Sequence, residues 1–557
     1  MDIVDSPMWF GDPEEPLFGW LARPAHELIR GAVVLVPAIG FEARNSRIAY
    51  AHLSRSLAQS GFASLRFDFR GTGDSSGDFA SAIPDPEWLD DIRCAVDYFR
   101  SQEVSSISLV GIRLGATMSS VALERELFQV DSLVLWDPCD SGRSYLREQS
   151  TLHAVRKDQP SEFTDGAIET IEHLIPARMA ISLRSLVVAA PTKAVTRTLV
   201  LHRLGYRPPK AIRSIASDSH IDITTTDEQE KFFAYKPFGV VLPVGVMSHI
   251  VGWLSESRTT EGDKHHFILN PTVTFLSNGG VPAIRESARF LGEQEVFAVT
   301  TEPVAHPHGP LILLVSNIHD DHTGPSRIFT ECARRWAQAG FRCARMDLSG
   351  IGESTQRTPR SDVEPLDRRW PNDVIMVVRA LESQDPSNVV IVGMCSSSSV
   401  AYEAALACKA RGICVVTPPL GRNVAHAIYT LQISRRLFAR IIAKTLKSIY
   451  ANHFFLATIP WEWIRRILPM TRYRDVMKIA ARNGTVVKTF GSLEDLTPIS
   501  TKPILRRVEG HYVAKLQYGA EDAIDALDHN MTSARGRMNL VAMLDAHIQG
   551  HYANFPQ

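Results

Sequence analysis

The chain repeats itself, and that repeat limits its possible folds more than any other feature. Residues 33–78 read VVLVPAIGFEARNSRIAYAHLSRSLAQSGFASLRFDFRGTGDSSGD, and residues 311–356 read LILLVSNIHDDHTGPSRIFTECARRWAQAGFRCARMDLSGIGESTQ. Each has an apolar strand, a polar loop, an SRI tripeptide and an amphipathic helix ending in AQxGF. Each then has a second strand closing on R-x-D-x-x-G-x-G-[DE]-S. Arg345 follows Arg66 by 279 residues, and Cys395 follows Arg113 by 282. A period this long marks a duplicated domain rather than a short-period solenoid.

Within one copy, short β-branched strands at 32–37, 62–67, 107–110 and 132–136 alternate with helical periodicity at 47–60, 87–101 and 115–127. That order predicts an α/β fold, two tandem domains each with a mostly parallel sheet covered by helices on both faces. The polar stretch SESRTTEGDKHH places the boundary near 255–275, giving domains 1–262 and 263–557. The glycines do not make a dinucleotide site. Gly71, Gly73 and Gly77 have the wrong third spacing, and Gly350 and Gly352 lack a third partner.

Bulk properties exclude several classes. Lys and Arg number 60 against 61 Asp and Glu, a net charge of −1, which gives no electrostatic footprint for nucleic acid. The acidic, Pro-rich MDIVDSPMWFGDPEEP does not read as a signal peptide. The longest apolar run, residues 239–254, is short for a bilayer and is interrupted by Pro243 and His249, so no membrane span is expected. Seven scattered cysteines without a CxxC pair suggest a reducing, cytoplasmic setting, with no disulfide frame, zinc site or cofactor expected.

The next repeated element is a strand, a tight small-residue turn and a helix: SLVGIRLGATMSSVAL in the first copy and VIVGMCSSSSVAYEAAL in the second. Such a turn strains its central residue and lifts that side chain above the sheet. The following backbone N–H then lies at a helix N-terminus, where it can bind an oxyanion. The apex residue is Cys395 in Gly393-Met394-Cys395-Ser396-Ser397 and Arg113 in Gly111-Ile112-Arg113-Leu114-Gly115. Ser396 is the rival nucleophile, though its side chain is expected to point back into helix packing.

With this turn and the Asp-Gly-Gly stretch each found twice, both halves resemble α/β-hydrolases of the serine-aminopeptidase-like branch. The resemblance implies the chain order nucleophile, acid, histidine. It makes Cys395 the nucleophile of a Cys-His-Asp triad. It places the acid at Asp495, with Glu494 as competitor, after the strand in GTVVKTFGSLEDLTP. It places the base at His529, in a D-H pair before the last helix, rather than at His511. The Ser396 N–H is the first oxyanion donor. The second comes from the loop after LILLVS, at Ile318 or its neighbour Asn317. In that loop His319, Asp320, Asp321 and His322 match no zinc spacing, so no metal is expected.

The resemblance also implies a lid at about 420–484. Its Phe454, Phe455, Trp461 and Trp463 would either line an acyl pocket or hold the lid down. Its Arg435, Arg436, Arg440, Lys444 and Lys447 form either a solvated face or a dock for an acyl carrier protein or CoA. Polyester synthases and some lactone hydrolases of this fold carry cysteine at the same turn. The expected reaction is therefore acyl transfer through a thioester, by an acyltransferase or by a thioesterase or esterase acting on acyl thioesters or esters. The alternative is a non-catalytic scaffold of two retired hydrolase domains. The first copy is expected to be catalytically dead. Arg113 cannot be an acyl nucleophile, TRTLVLHRLGYRPP ends without a carboxylate, and Pro237-Phe238 stands near the expected histidine. Arg113 is either a structural residue held by a carboxylate or a site for an anionic substrate group.

Overall fold

The computed structural model describes residues 2–417, 485–490 and 533–553, apart from 158–162, 164, 191–193, 216, 235–239, 257–261, 278–279, 293–294, 357–366 and 368. Packing divides the chain into two compact units. One is Met1–Arg289 with Pro325–Thr330, and the other is Phe290–Gly324 with Glu331–Gln557.

Among the described residues, the first sheet has eight strands: β1 (Ile3–Phe10), β2 (Leu17–Pro24), β3 (Ala32–Val36), β4 (Ala63–Phe67), β5 (Ile107–Ile112), β6 (Val130–Trp136), β7 (Val195–Arg203) and β8 (Ile221–Thr226). Their spatial order is β1-β2-β4-β3-β5-β6-β7-β8. Strands β1 and β2 run antiparallel, and the rest form a continuous parallel array.

The second sheet has β9 (Thr272–Leu276), β10 (Pro282–Leu291), β11 (Val296–Pro303), β12 (Leu311–Val315), β13 (Cys343–Met346), β14 (Val389–Met394), β15 (Gly412–Val416) and β16 (Val486–Phe490). Its order is β9-β10-β11-β13-β12-β14-β15-β16. Strands β12 to β16 are parallel, and β11 joins β13 antiparallel. The two sheets share a seven-strand frame, in which β1 corresponds to β10 and β7 to β16. Among the described residues, β8 extends the first frame at one end and β9 extends the second at the other.

The helices of the first unit that matter here are α1 (Phe41–Gln59), α2 (Leu89–Ser101), α3 (Leu114–Glu124), α4 (Gly142–Lys157) and α5 (Val244–Glu256). The period-two side-chain alternation buries both faces of the parallel strands. Val34, Val36, Leu65 and Leu109 pack with Ile92, Val96 and Met118 on one face. Val33, Leu35, Val110 and Ile112 pack with Leu53, Leu57, Ile250 and Leu254 on the other. The second unit adds α6 (Ile328–Gln338), α7 (Trp370–Leu381), α8 (Ser397–Cys408) and α9 (Ala534–Tyr552). Asp545 fixes α9 to α6 by accepting from Trp336 Nε1 at 2.8 Å and Arg335 Nη1 at 2.7 Å. No helix among the described residues is long and apolar enough to cross a membrane.

The repeated R-x-D-x-x-G-x-G-[DE]-S stretch serves as a structural clasp. Asp347 Oδ2 accepts the Glu353 N–H at 2.8 Å. The Ser354 hydroxyl donates to the Asp347 carbonyl at 3.0 Å and accepts the Phe297 N–H at 3.0 Å, joining the loop to β11. Asp68, Asp74, Ser75 and Phe18 repeat the pattern at 3.2, 2.6 and 2.9 Å. The loop closes so tightly that a Cβ on Gly73 or Gly352 would overlap the Asp68 or Asp347 carboxylate, and both glycines have positive φ, +48° and +50°. Asp91 and Asp373, near the starts of α2 and α7, hold the same loop. They accept the Arg70 and Ser349 N–H groups, each at 2.9 Å. Burial pushes both carboxyls up to about 6.

Gly352→Ala should therefore lower stability by about 2–3 kcal/mol, read as a fall in the urea midpoint. Gly550→Ala, in α9 with nothing within 4 Å of the added methyl, should leave it unchanged or slightly raised. A second test uses His547 in α9. Burial, with the nearby His551 and Lys488 charges, lowers its pKa to about 4. The fold prefers the neutral ring, so stability is full above the ordinary histidine value and is lost as pH falls toward 4. Between pH 7 and pH 5 the wild type should lose about 2 kcal/mol more than His547→Asn, measured by denaturant unfolding at each pH.

Candidate active site

Strand β14 runs directly into α8 through a single residue. Cys395 takes φ of +51°, a conformation that L side chains rarely adopt. The bend is held on both sides. The Cys395 N–H donates to the Val416 carbonyl at 2.9 Å. A Cβ on Gly393 would come within 2.6 Å of the Ser397 carbonyl, so the strand and helix can meet only at a glycine. Ser397 sits where the first copy has Gly115. Its hydroxyl accepts the Met394 N–H at 2.9 Å and bonds to the Val315 carbonyl at 3.1 Å. A Cβ on Gly115 would instead overlap the Pro37 carbonyl. The second copy has therefore replaced a required glycine with a serine that ties the helix to β12.

Cys395 is half-buried at this apex. Burial pushes the Cys414 thiol up to about 12 and raises Cys332 as well, which keeps those sulfurs protonated. The loop after β12 faces the turn, and the Ile318 N–H donates to Ser396 Oγ at 3.1 Å. The Ser396 side chain thus reaches across to the neighbouring loop instead of turning back into helix packing as expected. Ile318 and Ser396, the two oxyanion candidates, are brought together.

Asn317 is 3% exposed, and its amide is committed to its own loop. It accepts the His319 and Asp320 N–H groups at 2.7 and 3.0 Å and donates to Asp320 at 2.9 Å, fixing the turn that presents Ile318. The histidines and aspartates of this loop are also tied in place. His322 donates its N–H to Asp347 at 2.6 Å and sets Nδ1 2.9 Å from the other carboxylate oxygen. Asp321 accepts from the Thr323 N–H and hydroxyl.

Strand β16 ends at Phe490 and α9 begins at Ala534, on either side of the proposed acid and base. Asp495, Glu494, His511 and His529 lie outside the described residues. So do the expected lid at 420–484 with Phe454, Phe455, Trp461, Trp463 and its basic residues, and Pro237 and Phe238 of the first copy.

The first copy builds the same bend around a different side chain. Arg113 has φ of +52°, and its N–H donates to the Trp136 carbonyl at 2.9 Å. Arg113 is 2% exposed, and its guanidinium is enclosed by three carboxylates: Glu42 from α1 at 3.0 Å, Asp137 after β6 at 3.2 Å and Glu148 from α4 at 2.6 Å. Arg203 also reaches Asp137 at 2.9 Å. Burial raises Glu42 to about 7 against the pull of Arg113. The fork makes one charge-assisted contact in each direction, leaving the apex filled by protein. The second copy has Thr417 at the position of Asp137, also with positive φ, +43°.

A family model described as serine aminopeptidase, S33 matches residues 29–224, within the first copy. No curated protein matches. Several solved structures do. Est1E from Butyrivibrio proteoclasticus with ferulic acid bound is 16% identical; the match covers 45% of this chain and 98% of that one, with a TM-score of 0.34. An esterase from Pyrococcus furiosus is 15% identical, with 46% and 91% covered and a TM-score of 0.31. A hypothetical protein from Pseudomonas aeruginosa is 16% identical, with 46% and 94% covered and a TM-score of 0.33. The fold of this chain is α/β, with two mostly parallel sheets flanked by helices, and residues 29–224 are similar to the serine aminopeptidase S33 family.

Removing the cation from the first bend should strand its carboxylates. Arg113→Met is expected to cost about 3 kcal/mol in thermal or denaturant unfolding. Glu148→Gln should cost under about 1 kcal/mol, because that arm is 48% exposed.

Proposed function

We propose that residues 263–557 form an acyl-transfer enzyme with Cys395 as nucleophile, His529 as base and Asp495 as the carboxylate orienting it. The thiol attacks an acyl thioester or ester, the acyl group rests on sulfur as a thioester, and water or another acceptor completes the turnover. The observation that carries this reading is the placement of Cys395. A reactive residue type is held half-buried at positive φ on a strand-to-helix apex, beside the Ser396 backbone N–H at the helix start and the loop that carries Ile318.

Residues 1–262 are proposed to be a catalytically silent copy. The three-carboxylate enclosure of Arg113 supports a structural role there over an anion subsite. A basic lid would suit a CoA or acyl-carrier donor. The thioester intermediate favours such a donor because exchange between thioesters is nearly balanced.

The test is intact-mass measurement of the full chain after incubation with acetyl-, butyryl- and octanoyl-CoA and the corresponding p-nitrophenyl esters. The wild type should gain one acyl mass, and Cys395→Ala should gain none and lose at least about 10³-fold in turnover. Normal turnover by the alanine variant would falsify the assignment. Added alcohol or amine acceptors, followed by product analysis, separate transfer from hydrolysis.

A further inference from the structure

Ser396 is the residue just before α8, the N-cap position, where serine ordinarily caps its own helix by accepting an N–H two or three residues on. Here it makes no such bond. Its Oγ instead accepts the N–H of Ile318, 78 residues away in sequence, at 3.1 Å. The neighbouring Ser397 hydroxyl is spent on Met394 and Val315. No acceptor is seen for the Ser396 O–H or for its backbone N–H among the described residues. At the matching place in the first copy stands Leu114, fully buried, behind an arginine that cannot attack. Within this one chain, the hydroxyl accompanies the thiol and is absent where the thiol is absent.

We infer that the Ser396 hydroxyl, which takes up the Ile318 N–H, is itself a side-chain donor to the oxyanion formed at Cys395. The inference rests on the acyl-transfer reading above. The Ile318 N–H polarises the hydroxyl it bonds to, which strengthens that hydroxyl as a donor. When Cys395 Sγ bonds to the acyl carbon, the carbonyl π pair moves onto oxygen. That oxygen takes hydrogen bonds from the Ser396 N–H and Oγ–H. Collapse restores the carbonyl and breaks the bond to the leaving thiolate or alkoxide, which takes up the proton the thiol gave up. Ser396 neither gains nor loses a proton overall. Its contribution exists only while the oxygen bears charge, so it acts on the rate and not on ground-state binding.

Two reactions of the same sulfur test this. Alkylation of Cys395 by iodoacetamide forms no oxyanion, whereas acylation by butyryl-CoA or p-nitrophenyl butyrate does. In the full chain, Ser396→Ala should slow acylation about 10²-fold with KM unchanged and leave the alkylation rate at the wild-type value. It should also weaken inhibition by a trifluoromethyl ketone, which forms a tetrahedral oxyanion on sulfur, by a similar factor. Ser396→Thr, which keeps the hydroxyl, should recover most of the loss. Equal or faster acylation in Ser396→Ala would mean that the hydroxyl merely blocks the Ile318 N–H, and would overturn the role. So would equal slowing of alkylation and acylation, which would mark a residue that only shapes the turn. If acyl mass instead persists in Cys395→Ala, the nucleophile assignment has failed. If the wild type is never acylated, the reaction and this role fall together.

Discussion

Both copies depend on the same steric constraint: a parallel strand must turn into a helix within one residue. That geometry puts a non-glycine residue at positive φ, which costs on the order of 1 kcal/mol or more and survives only when neighbours enforce it. In the second copy the neighbours are Gly393, the Val416 carbonyl and the Ser397 hydroxyl. In the first they are Gly111, the Trp136 carbonyl and Gly115. The bend survives an exchange of cysteine for arginine at its apex, so the scaffold that shapes a reactive position does not depend on the reactivity. What differs is what surrounds the apex. In one copy it is a half-buried thiol beside backbone donors. In the other it is a cation neutralised from three directions.

Parallel strands buried on both faces were legible in the sequence because they read as short unbroken β-branched runs, and β3 to β6 fall where those runs lie. The antiparallel strands β1 and β2 were not. Pro7 interrupts the first, and a proline-containing N-terminal stretch reads as a loop until it is seen on a sheet edge, where a missing N–H does little harm. The turns at 113 and 395 were legible because small residues crowd around one apex. The clasp motif was visible as a repeat, but its purpose was not. Only the folded chain brings the Asp347 carboxylate to the Glu353 N–H and the Ser354 hydroxyl to β11.

The side-chain partners around the two apices were the least legible. Glu42, Asp137 and Glu148 converge on Arg113 from three separate elements, and no local spacing announces them. The reach of Ser396 to Ile318 reverses the expectation formed from its place beside a helix, because the loop after β12, distant in sequence, presents the Ile318 N–H to it. Asp495 and His529 rest on chain order alone, since both fall outside the described residues.

The strand added beside β10 bears on how such a chain folds correctly. Tandem copies of one topology are prone to exchanging segments, since a strand from one half can complete the other. Among the described residues, β9 covers the β10 side of the second frame, whereas β1, its counterpart, ends its sheet. A duplicated product whose halves carry unlike margins at one corresponding rim gives a nascent chain a physical means of telling one from the other.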